Sequence, residues 1–209
     1  MPHLSSVNLA SAVSYGDWTG DMGSTGIDKR PVAHRVRLLD DHVEGDHVVD
    51  RKHHGGPYKA VYSYAREDAA WWERELGRPI PAGAFGENLT TRGLDLNGFL
   101  IGERLRIGSA LLQVSEPRIP CRVFAGFWER PGLIKEFSAA GRPGAYLRIL
   151  EPGDVGGGDT IESISRPAHG VTIGMAFSAR TGGGITRQQL QPAHAEFAPK
   201  WQAWIDASA

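Results

Sequence analysis

The sequence predicts a mainly β protein with helices, and three observations lead to that class. Glycine and proline are abundant, 27 and 13 of 209 residues, and both interrupt helices. The apolar runs are short and separated by turn signals such as Asn97-Gly98 and Ile107-Gly108-Ser109. That spacing suits the strands of a barrel or sandwich better than long βαβ units. Ahead of residue 168, one long segment has a clear helical period.

Taken in order, extended runs are expected at 7–10, 32–39, 48–50, 85–89, 104–107, 110–115, 145–150 and 160–164. The second alternates Val32, His34, Val36 and Leu38, the period of a half-buried strand. A helix is expected over 59–76, where Val61, Ala65, Ala69, Trp72 and Leu76 share one face and Arg66, Glu67, Glu73 and Arg74 the other. Gly77 supplies its stop and Pro79 follows. A shorter helix is expected over 132–140, ended by Gly141. After Arg166-Pro167 the segments 171–177, 186–190 and 193–205 read as helices, with a flexible break at Gly182-Gly183-Gly184. Phe197, Trp201, Trp204 and Ile205 form a stripe that must dock, because a short isolated helix is marginal in water. The expected organisation is a β-rich body over 1–168 and a small helical appendage over 169–209.

Composition narrows the function classes. A formal charge of −1 removes a broad electrostatic case for nucleic acid or an anionic membrane. The first residues lack the basic and apolar regions of a signal peptide, and no stretch is apolar for long enough to span a bilayer. A single cysteine forms no intrachain disulfide and fits a reducing compartment. The expectation is a soluble cytoplasmic protein.

That cysteine, Cys121, lies in Pro117-Arg118-Ile119-Pro120-Cys121-Arg122. The prolines stiffen the backbone, and nearby arginines favour the thiolate, the nucleophilic and soft-metal-binding form. The alternative is a small buried hydrophobe. A second cluster, Lys52-His53-His54-Gly55-Gly56, joins a glycine pair able to cradle an anion to three polar side chains; it also reads as a tight turn with two surface histidines. Adjacent histidines lack the i, i+4 spacing of a helical zinc site, and there is no Cys-x-x-Cys. Asn88 in Phe85-Gly86-Glu87-Asn88-Leu89 offers a donor and an acceptor suited to a heterocycle edge, or to its own backbone. Lys29-Arg30 before Pro31 presents two cations suited to a phosphate, or to solvent. Phe124, Phe127 and Trp128 either line a cleft or belong to the core. Walker, dinucleotide-fold and nucleophile-elbow motifs are missing, and a Cys–His hydrolase pairing Cys121 with His53 or His54 stays open.

The order of these clusters is more distinctive than any one of them. Gly45-Asp46, His54-Gly55-Gly56, Lys59-Ala60-Val61, Phe85 to Thr90, Pro117 to Cys121, Gly144 to Ile149, Gly153-Asp154-Val155 and Gly158-Asp159 together resemble the MOSC domain, named for the C-terminal domain of molybdenum cofactor sulfurases. The helical tail resembles that of the YiiM-type subgroup. The resemblance implies a pyruvate-kinase-type β-barrel with a small C-terminal three-helix appendage. It implies a molybdopterin-type molybdenum cofactor with Cys121 as the metal ligand. Lys29, Arg30, His53, His54, Gly55, Gly56, Asn88 and Arg118 match motif positions around the pterin and its phosphate. The activity implied is reduction of N-hydroxylated bases or related N-oxygenated compounds, with electrons from a separate flavin-type reductase and a proton from His53 or His54. The alternative is a sulfur carrier or cofactor-handling module with a Cys121 persulfide. The lack of an attached PLP-dependent desulfurase segment favours the reductase. A degenerate barrel used for protein interaction fits less well, given Cys121, His54-Gly55-Gly56 and Asn88.

Overall fold

A computed structural model describes residues 1–10, 12–50 and 54–207. Its frame is an eight-stranded, mostly antiparallel sheet in the order β12-β8-β9-β10-β6-β7-β1-β4. In chain order these strands are β1 (His3–Leu9), β4 (Arg30–Val32), β6 (Val61–Ala65), β7 (Leu89–Arg92), β8 (Arg104–Ile107), β9 (Ala110–Pro117), β10 (Ala145–Glu151) and β12 (Ile161–Ser165). Two short pairs complete the strands: β2 (Ser14–Tyr15) with β3 (Ser24–Thr25), and β5 (Val36–Leu38) with β11 (Gly153–Val155). The sheet curls but its ladder stays open, because β12 and β4 lie at opposite ends without pairing. An isolated bridge between His3 and Thr160, and the bond from the Leu4 N–H to the Asp159 carbonyl at 2.8 Å, bring the two sides together. The closed barrel implied by the resemblance is therefore met only in part.

The expected helix over 59–76 is corrected. Its first half is β6, pairing antiparallel with β10 and parallel with β7, and helix α1 (Arg66–Leu76) starts only afterwards. Every residue of β6 is buried. A strand buried on both faces loses its period-two signal, so Val61, Ala65 and Ala69 matched a helical spacing by coincidence. Val-Tyr-Ser-Tyr also favours strand by its β-branched and aromatic content. Gly77, left-handed at φ 63°, ends α1 as expected. The expected run over 32–39 is two strands broken at 33–35, while 48–50 and most of 85–89 are loop.

Helices α2 (Arg122–Phe127) and α3 (Leu133–Ala140) follow β9, the second where a helix was expected and the first unforeseen. Beyond β12 come α4 (Ile173–Thr181), a 3₁₀ stretch (Arg187–Glu196) and α5 (Pro199–Asp206). The Thr172 hydroxyl caps α4 by accepting from the Met175 N–H at 3.1 Å. Pro192 lacks the N–H that an α-helix needs, and Pro199 holds Ala198 extended, so the expected 193–205 helix is split.

The core has two lobes. One fills the curl with Leu4, Val7, Leu89, Leu112, Val114 and Leu147 and continues without a break into Leu190, Phe197, Trp201 and Ile205. The docking stripe is thus buried as its pattern requires, each large apolar side chain contributing about 1.5–3 kcal/mol. The second lobe is aromatic: Tyr62, Tyr64, Trp72, Phe85, Phe124, Trp128 and Phe137. Phe124 and Trp128 are therefore core, and the 80–88 loop hangs from this lobe through Phe85, stacked 4.0 Å from Tyr64. Gly83 lets the loop turn: its φ is +87°, and an added Cβ would lie 2.1 Å from the Lys29 carbonyl oxygen. Gly83→Ala is expected to lose at least about 1–3 kcal/mol through backbone strain alone. A urea melt reads the loss, and an unchanged midpoint would refute this account of the turn.

Candidate active site

Strand β9 ends at Pro117, and residues 118–121 cross the mouth of the curled sheet to reach α2. Cys121 sits at the head of α2 in an extended conformation, φ −132° and ψ 170°, with its carbonyl accepting from the Ala125 N–H at 3.2 Å. It is half-buried and lies on the wall shared by two connected spaces. The deeper cleft encloses about 750 Å³ with its mouth, lined by residues including Thr25, Lys29, Asp46, Tyr62, Asn88 and Arg118. The outer chamber encloses about 1710 Å³ with its mouth, and its walls include Gly55, Gly56, Glu116 and the start of α5. His54, Lys59 and Tyr146 face both.

Arg118 is the unusual group. It is only 5% exposed, and among the described residues no carboxylate pairs with it. Its Nη1 donates to the Phe85 carbonyl, its guanidinium lies 5.1 Å from the Tyr62 ring centre and 4.4 Å from that of Phe124, and its buried Nε has no partner. Tyr62, Tyr146 and Cys121 are the groups that most favour its positive charge. Burial pushes the Tyr146 phenol up to about 12 and that of Tyr62 higher, so both hydroxyls stay protonated. The Tyr62 hydroxyl donates to the Pro143 carbonyl at 2.7 Å, while the Tyr146 oxygen lies 3.4 Å from Nδ1 of His54.

Across the deep cleft stands a second buried unit. Lys29 Nζ donates to both oxygens of Asp46, at 2.6 and 2.5 Å. The Asn88 amide donates to the same carboxylate at 2.8 Å, while its carbonyl accepts from the Tyr62 N–H at 3.1 Å. Burial lowers the Lys29 pKa against the pull of Asp46. Beneath this unit the fully buried Glu87 accepts from the N–H groups of Gly83 and Phe85 and from the Thr90 hydroxyl. Those bonds hold the loop that presents Asn88. Burial still raises the Glu87 carboxyl above its usual range.

The fold therefore gathers Cys121, Arg118, Lys29, Asn88 and His54 around the deep cleft, with Gly55 and Gly56 on the outer chamber. Arg30 stands apart. It begins β4 with its side chain 74% exposed, paired with Asp28 at 3.0 Å. His53 and the neighbouring Lys52 lie outside the described residues. The wall residues that went unassigned in the sequence include Asp46, Lys59, Tyr62 and Tyr146. Asp46, Lys59 and Tyr146 lay within the motif string itself, and Tyr62 carried the signal of an aromatic in a β-prone run.

Among the described residues no group of three histidine, cysteine or acidic side chains is placed to hold a metal ion. The described residues offer Cys121 as a lone soft donor. A soft thiol donor beside a buried guanidinium that lacks a counter-ion fits a metal carried on an anionic organic ligand.

The MOSC domain family model matches residues 50–162. The chain is 39% identical over 160 residues to the YflK protein of Bacillus subtilis (strain 168), covering 77% of this chain and 72% of that one. It is 34% identical over 143 residues to YiiM of Escherichia coli (strain K12), covering 67% of this chain and 64% of that protein. A protein of Gibberella moniliformis (strain M3125 / FGSC 7600) named as a reductase is 36% identical over 119 residues, 54% of this chain and 21% of the longer relative. The crystal structure of YiiM from Geobacillus stearothermophilus superposes with a TM-score of 0.81 at 27% identity, covering 99% of this chain and 98% of that one. Both the motif order and the YiiM-like architecture have their explanation here: the chain belongs to the MOSC domain family.

Proposed function

We propose that the protein is a molybdenum-dependent reductase of N-hydroxylated bases or related N-oxygenated compounds, with Cys121 holding the metal of a molybdopterin-type cofactor. The observation that carries this reading is Arg118, a buried guanidinium that no carboxylate pairs with among the described residues, close in the chain to a half-buried lone thiol. Leaving a buried charge unpaired costs several kcal/mol, and an anionic guest at the deep cleft removes that cost. The named reductase among the relatives supports an oxidoreductase, and the family supports a link to molybdenum cofactor.

Reduction of a hydroxylamine to an amine takes two electrons and two protons and releases water. The bound molybdenum group supplies the two-electron chemistry. The chain's residues do the rest. Cys121 anchors the metal by its sulfur, and Arg118 neutralises anionic charge within the cleft. Lys29 and Asn88, braced by Asp46, form the wall facing the pterin and its phosphate. His54 and Tyr146 hold a proton between Nδ1 and the phenol oxygen at the junction of the two spaces. Electrons come from a separate flavin-type reductase, and a reducing cytoplasm suits the unpaired cysteine.

Protein expressed with ample molybdate is expected to carry near-stoichiometric molybdenum and pterin, and Cys121→Ala to lose the metal. Metal analysis reads this directly. A persulfide on Cys121 in metal-free protein would replace the reductase reading with the sulfur-carrier one. Loaded protein with a chemical electron donor is expected to reduce a hydroxylaminopurine, and absence of turnover rejects the activity. His54→Gln is expected to slow kcat by about 10²-fold or more while metal content is kept. Unchanged kcat would remove His54 from proton delivery.

A further inference from the structure

The outer chamber is not built by the sheet alone. Arg180 near the end of α4, with Lys200 and Trp201 from the first turn of α5, lines it together with Cys121 and Arg122. Four cations, Lys59, Arg122, Arg180 and Lys200, share its walls with two carboxylates, Asp50 and Glu116. This positive excess stands in a chain of formal charge −1. Glu116 is held by Lys59 at 3.0 Å and its charge also reaches Arg180 and Lys200, but two carboxylates leave the four cations in excess.

The wall that α4 and α5 contribute is also aromatic. The Arg180 guanidinium lies 5.4 Å from the Trp201 ring centre and 4.5 Å from that of Trp204, while Arg187 lies 4.4 Å from the same Trp204 ring. Two guanidiniums drawn to one indole repel each other. Partial burial and the Arg187 charge both lower the Arg180 pKa. An anion arriving at Arg180 relieves that repulsion at a wall where Lys200 stands exposed. Ile119, Pro120 and Val123, next to Cys121 in the chain, and Tyr146 add apolar surface to the same chamber.

We propose that the outer chamber binds an aromatic base bearing a phosphate tail, a nucleotide, with the base on the Cys121 side and the phosphate at Arg180 and Lys200. The proposal rests on the reductase reading and narrows its substrate class from free bases to nucleotides. A concave space flanked by apolar surface with a few convergent charges is the usual form of a small-molecule site, and phosphate on guanidinium is among the stronger charge-assisted contacts.

The test is equilibrium binding to the full-length, metal-loaded protein, followed by tryptophan fluorescence and by calorimetry, with adenosine 5′-monophosphate, adenosine and inorganic phosphate as probes. The monophosphate is expected to bind about tenfold or more tightly than adenosine, with the advantage shrinking as salt rises. Arg180→Gln/Lys200→Gln is expected to abolish the advantage while leaving adenosine affinity unchanged, and Lys200→Gln alone to remove part of it. Circular dichroism confirms that the variants fold. Equal affinity for nucleoside and nucleotide overturns the proposal, as does no binding of either or an advantage that survives the double substitution. Inorganic phosphate binding as tightly as the nucleotide would reduce the chamber to an anion site and overturn the base-plus-phosphate assignment. Turnover of hydroxylaminopurine is measured separately. Turnover without a phosphate advantage sinks this inference alone, whereas a phosphate advantage without turnover sinks the reductase reading alone.

Discussion

A buried positive charge that meets no carboxylate among the described residues organises this site. Arg118 is enclosed by Tyr62, Phe124 and the 80–88 loop, and one of its donors is spent on the Phe85 carbonyl. Aromatic faces and a carbonyl dipole lower the cost of burying a guanidinium but do not cancel it. The arrangement is tolerable because β9, α2 and the 80–88 loop are each anchored elsewhere, in the two lobes of the core. The fold spends stability gained from aromatic packing to keep a cation poised at the cleft, and Cys121, three residues along, shares its field.

Lys29 shows the opposite solution to the same problem. It is as buried as Arg118, yet Asp46 pairs with it and Asn88 steadies the carboxylate. The unit also reinforces three segments whose strands already pair in the sheet: the end of β1 through the Ala10 N–H to Asp46 at 2.9 Å, the start of β6 through Tyr62, and the turn into β7 through Asn88. A paired cation of this kind is a rigid wall that keeps some polarity. The cleft thus has one neutralised side and one side short of negative charge, and a guest with a charged end gains a definite orientation from that asymmetry.

How much of this was legible in the sequence depended on the kind of signal. Strands β8, β9, β10 and β12 were readable because each is a compact apolar run between glycine turns, and α3 because Gly132 and Gly141 bracket it. Strand β6 was not, since a fully buried strand has no alternation and its Val-to-Ala spacing merges into the helix that follows. For the site, the motif order gathered Cys121, Arg118, Asn88, Lys29 and His54 correctly into one neighbourhood. It could not tell Lys29 from Arg30, because which of two adjacent cations is buried is settled only in the folded chain. It also gave no sign that Asp46 would occupy Lys29, since charge pairing across 17 residues is a property of the folded loops.

The C-terminal segment alters the meaning of the cysteine's position. Read as an appendage, residues after 168 would only shield the core, and the site would end at the edge of the sheet. Their side chains instead enter the same lobe as β9 and β10, while Arg180, Lys200 and Trp201 close the chamber that opens on Cys121. The sulfur therefore lies at a junction: behind it a polar cleft with a buried cation, before it a wider space with a wall that comes from elsewhere in the chain. Phe197 and Ile205 seat this wall in the same lobe that β9 and β10 fill, yet no residue of α4 or α5 lines the deep cleft, so the two spaces are shaped by different parts of the chain.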